Sequence, residues 1–120
     1  MDDVYKFPWV ICIGGTKTQA YNEFARCMGL PKDDEDLGMP DGSFLGNSSV
    51  KGGAIWLSSI AKTSTIVHEC VHGTNYALQT SGVKPGKQNN DEHYAYYTEW
   101  LFKKVYKIWK QSKAPGLKYQ

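Results

Sequence analysis

The chain has 120 residues, 41% of them apolar and 13% aromatic, with a formal net charge of +2. That suits one domain, residues 1–120, with a modest core, and leaves no room for a second. No apolar run approaches the roughly eighteen residues that cross a bilayer, and Met1-Asp2-Asp3 opens without the basic and apolar regions of a secretory signal, so the chain reads as cytoplasmic and without a membrane partner.

Val4 to Ile13 mixes β-branched and aromatic residues and closes at Gly14-Gly15, which predicts a buried strand. From Thr16 to Met28 the apolar positions Ala20, Tyr21, Phe24, Ala25 and Met28 recur at three- and four-residue steps, a helical period that Gly29 and Pro31 stop. Residues 31–53 hold the acidic run Asp33-Asp34-Glu35-Asp36 and many Gly, Ser and Pro, the composition of a long surface segment, with a short strand around Phe44. Ala54-Ile55-Trp56-Leu57 predicts a second strand, with Trp56 in the core; at a sheet edge it would offer free backbone groups to an extended peptide.

A helix should start near Thr63 or Ser64, whose hydroxyls suit its first turn, and end at Gly82, about eighteen residues or roughly 27 Å on. The last helix spans Asn90 to Gln111, with Tyr94, Tyr97, Leu101, Val105 and Ile108 as its apolar stripe. Lys103, Lys104, Lys107 and Lys110 lie opposite, and Lys113 and Lys118 follow in a tail over 113–120. A solvated face is the plain reading of these lysines; nucleic acid or an acidic partner is the sharper one. Cys12, Cys27 and Cys70 share no zinc-knuckle or redox spacing, which predicts free, structural thiols.

The chemistry concentrates in His68-Glu69-Cys70-Val71-His72. Two imidazoles four apart on a helix project from one face and suit a shared Zn²⁺, with the glutamate between them in reach of a metal-bound water. Cys70 points well round the helix from both. A catalytic zinc takes three protein ligands, and Asp91-Glu92-His93-Tyr94, one turn into the next helix, offers Glu92 or His93. Helical angle does not separate these two.

The motif, followed some twenty residues later by Glu92, Ala95 and an aromatic run, resembles the gluzincin branch of the zincin metallopeptidases and is similar to small zincin-like domains encoded by bacteriophages and bacteria. The resemblance covers residues 54–102. It implies an α+β fold, a minimal zincin-like domain with a small sheet packed against an N-terminal helix and two C-terminal helices that carry the metal site. It also implies His68, His72 and Glu92 as zinc ligands and Glu69 as general base. Where many gluzincins place an aspartate that orients the first histidine this chain has Tyr96, whose hydroxyl is a weaker substitute; Asp91 or a backbone carbonyl is the other means of fixing the imidazole tautomers. Tyr76, Tyr94, Tyr96 and Tyr97 are the candidates for stabilising an oxyanion. The expected function is zinc-dependent hydrolysis of a protein or peptide substrate. The alternatives are a non-catalytic protein of this fold that engages a protein or nucleic acid through its basic helix, and a zinc amidase acting on cell-wall peptide.

Overall fold

Three short strands, β1 (Trp9–Ile13), β2 (Gly42–Gly46) and β3 (Gly53–Leu57), form a mixed sheet in the order β1-β3-β2, with β1 parallel and β2 antiparallel to β3. The computed structural model describes residues 5–32, 41–47, 49–86 and 90–113; the acidic run over 33–36, the chain start and the tail beyond 113 lie outside them. Helix α1 (Lys17–Met28) covers one face of the sheet, and α2 (Thr63–Thr80) and α3 (Asn90–Lys113) cover the other. This is the α+β arrangement expected from the sequence.

Strand alternation builds the two cores. Ala54 and Trp56 face α1, where they pack with Ala20, Phe24 and Leu45. Ile55 and Leu57 face α2 and α3 and join Ile66, Cys70, Ala77, Leu78, Tyr97, Leu101 and Val105. Trp56 is fully buried, and its indole N–H donates to the Gly14 carbonyl at 2.9 Å, so no polar atom of that ring is stranded. Trp9 ties β1 to α3 in the same way, its Nε1 donating to the Tyr97 hydroxyl at 3.0 Å.

Two sequence expectations are corrected. The first strand begins at Trp9 rather than Val4: Pro8 has no N–H for the ladder, although its carbonyl accepts from Gly53 at 3.1 Å, and Tyr5 to Phe7 lie outside the sheet. The strand over residues 54–57 is central, not an edge; every residue of β3 is buried because both its faces and both its edges are covered. Among the described residues no strand pairs with the outer edge of β2, the edge beside α2.

The helix boundaries follow their signals. At α1, Thr16 Oγ1 accepts from the Gln19 amide at 3.0 Å and Gln19 Oε1 from the Thr16 amide at 2.9 Å, while Gly29 at φ 72° closes the other end. At α2 the reaching hydroxyl is Thr65, which accepts from the Lys62 amide at 3.2 Å, rather than Thr63 or Ser64. Gly82 at φ 88° and the Val83 amide bonded to the Leu78 carbonyl end α2 where expected. Among the described residues no helix is long and apolar enough to cross a membrane.

Candidate metal centre and groove

Helix α2 buries Ile66, Cys70, Gly73, Thr74, Ala77 and Leu78 against the sheet and α3, which turns His68 and His72 outward on the flank nearest β2. Their Nε2 atoms approach to 3.2 Å with the rings at 77°. Two nitrogens that ligate one tetrahedral zinc at ordinary bond lengths lie about 3.3 Å apart, so the pair is already spaced for a shared ion. Glu69 is buried, and its carboxylate has no hydrogen-bond or ion-pair partner among the described residues. It lines a depression of about 420 Å³ together with His68, His72, Gly42, Ser43 and Phe44. Cys70 is buried on the opposite side, its thiol pushed up to about 12, chiefly by burial and further by the Glu69 charge.

The depression continues in both directions along α2. Past His68 it opens into a polar hollow of about 530 Å³ lined by Asp41, Gly42, Ser64, Thr65, His68 and Glu69. Past His72 lies one of about 450 Å³ formed by Phe44, Asn75, Tyr76, Gln79 and Thr80 with His72 itself. Strand β2 is the facing wall. Its start is pressed on the first turn of α2, where a Cβ on Gly42 would meet Thr65 Cγ2 at 2.8 Å, and its middle sets the Phe44 ring against Tyr76 with centroids 5.2 Å apart and planes at 49°. β2 and α2 therefore run in the same direction along the groove. The Asp41 carbonyl accepts from Ser58 at 2.8 Å, so odd-numbered residues of β2 turn their backbone groups to β3 and Gly42, Phe44 and Gly46 turn theirs to the open edge.

The remaining sequence candidates lie elsewhere. Helix α3 runs antiparallel to α2: Thr98 Oγ1 donates to Thr74 Oγ1 at 2.9 Å, a Cβ on Gly73 would touch Leu101, and the Tyr94 hydroxyl donates to the Val83 carbonyl at 2.6 Å. Glu92, before Tyr94, is thereby level with the far end of α2, whereas His72 lies eight residues, about 12 Å, before Thr80. Among the described residues no three His, Cys, Asp or Glu side chains are grouped to hold one ion. His68, His72 and Glu69 share the depression, and Glu92 and His93 line none of the three hollows. Asp91 Oδ1 accepts from the Gly86 amide at 3.3 Å, away from both imidazoles.

Tyr96 is 60% exposed and lines none of the three hollows. Tyr97 is buried against Trp9, and the Tyr94 hydroxyl is used on Val83. Of the four tyrosines only Tyr76 borders the groove, one turn beyond His72, with its hydroxyl donating to the Asn47 carbonyl at 3.0 Å. Sequence reasoning missed Asp41, Gly42 and Phe44 as wall residues. The turn residues that bracket Phe44 marked a strand there but gave no hint of its neighbour in the sheet. No family model, curated protein or solved structure matches the chain.

Proposed function

We propose that the chain is a zinc-dependent peptidase in which His68 and His72 hold the ion and Glu69 is the general base. The observation that carries this reading is the 3.2 Å convergence of the two Nε2 atoms beside the Glu69 carboxylate, at a groove whose other wall is a strand edge left unpaired among the described residues. Bound zinc supplies an acidified water and a Lewis acid for the scissile carbonyl. Glu69 takes the proton of the attacking water and returns it to the departing amine. The open edge of β2 pairs with an extended substrate and lays one peptide bond across the imidazoles.

A catalytic zinc needs a third protein donor, and the resemblance to gluzincins nominates Glu92. Zinc titration of Glu92→Ala and His93→Ala beside wild type distinguishes the two residues.

The test of the function is hydrolysis of quenched fluorescent peptides by zinc-loaded protein. Glu69→Gln should keep the metal and lose about a hundredfold or more in rate. Equal rates in the variant and wild type would overturn the assignment.

A second reading has its own support. On α3 the Lys104 ammonium sits over the Trp100 ring at 5.3 Å and Lys110 over Tyr106 at 5.7 Å, with Lys103 and Lys107 also exposed. Such a face suits an anionic partner, and binding to single-stranded DNA that weakens steeply with salt and disappears on neutralising Lys103, Lys104 and Lys107 would favour it.

A further inference from the structure

The two ends of the groove differ in chemistry, and β2 gives the groove a direction. At the β2 start, Asp41 joins Ser64, Thr65 and Glu69 around the polar hollow, with two carboxylates and no lysine or arginine among its described lining residues. At the other end Phe44 and Tyr76 present two rings in tilted contact, with the neutral Asn75, Gln79 and Thr80 beside them. From Thr65 to Tyr76 the helix rises about 16 Å, which an extended peptide covers in about five residues. A peptide added to the open edge of β2 pairs best in the antiparallel sense, where the ladder is more stable per residue. Its N-terminal half then lies at the Phe44 and Tyr76 end and its C-terminal half at the Asp41 end.

We infer that the groove selects extended peptides carrying an aromatic residue on the N-terminal side of the imidazole pair and a cationic residue on the C-terminal side. The aromatic ring enters the hollow that Phe44 and Tyr76 border with Gln79, and the cation faces Asp41. This preference rests on the proposed function for the position of the scissile bond, between those two residues; the directional docking itself needs no cleavage.

The experiment uses two labelled peptides of identical composition, one with a lysine four residues after a phenylalanine in an alanine-serine background and one with their order exchanged. Fluorescence anisotropy with zinc-loaded Glu69→Gln protein reads binding without turnover and leaves Asp41 as the one carboxylate among the described residues of the hollow. The expected result is at least fivefold tighter binding of the first peptide, with the preference abolished or inverted by Asp41→Lys, a change at an exposed position that leaves the cores untouched. Equal affinities, no binding of either peptide, or a preference that Asp41→Lys leaves intact would overturn the inference. The same peptides incubated with wild type and analysed by mass spectrometry address the reaction separately. Cleavage of the first peptide between phenylalanine and lysine supports both conclusions, whereas directional binding without cleavage keeps the groove assignment and overturns the peptidase.

Discussion

The Glu69 carboxylate has no hydrogen-bond or ion-pair partner among the described residues and opens on the depression beside the imidazoles. A neutral amide of the same shape therefore removes no bond that holds the fold. Glu69→Gln should leave the metal-free protein within about 0.5 kcal/mol of wild type, although hydrolysis is lost. Urea unfolding in the presence of a chelator measures this, and a clear loss of stability would mean that the carboxylate holds the fold together. The cysteines make a second prediction at this scale. Burial pushes the Cys70 thiol up to about 12 and, with the Glu23 and Cys27 charges, the Cys12 thiol to about 11, whereas Cys27 is exposed. Because the thiolate is the nucleophile, iodoacetamide at pH 8 should label Cys27 in the native chain and reach Cys12 and Cys70 only after unfolding. Peptide mapping of the labelled protein reads the outcome.

The helices were legible in the sequence because their signals are local. The motif helix was expected to run for about eighteen residues and does so, between Thr63 and Thr80, although Thr65 rather than its neighbours satisfies the first turn. Sheet order was not legible, since which strand neighbours which depends on contacts between segments far apart in the chain. One clue was present: Gly53-Ala54-Ile55-Trp56-Leu57 carries no polar residue on either face, the pattern of a strand covered on both sides, and such a strand belongs at the centre. The imidazole pair and Glu69 were legible because helical spacing fixes them. The third ligand was not, because the register of α3 against α2 is set by Gly73, Thr74, Thr98 and Leu101 rather than by the length of the link between the helices. Gly73 permits this close approach: a Cβ there would stand 2.8 Å from Trp9 and 3.1 Å from Leu101. Gly73→Ala should cost about 1 to 3 kcal/mol by overpacking, read as a lower denaturation midpoint, and an unchanged midpoint would show that α2 and α3 can part without loss.

At the scale of the whole molecule, one sheet with a helical layer on each face holds α2 steady while β2 forms the opposite wall of the groove. The hydrogen bond from Trp9 to the Tyr97 hydroxyl joins sheet to α3, and the burial of that hydroxyl gives the fold an alkaline limit. Burial raises the Tyr97 hydroxyl to about 12 and the Cys12 thiol to about 11, so between pH 9 and 12 the unfolded chain releases protons that the folded chain retains. Stability from these groups is complete below pH 9 and falls as pH rises through that range. The thermal midpoint should decline above pH 9, and Tyr97→Phe should flatten the part of the decline above pH 10. The most direct test of the central claim is calorimetric titration of chelator-stripped chain with Zn²⁺. One ion should bind each wild-type chain, and His68→Ala and His72→Ala should each abolish binding or weaken it at least a hundredfold. Failure of the wild type to bind zinc, or undiminished binding in both variants, would contradict it.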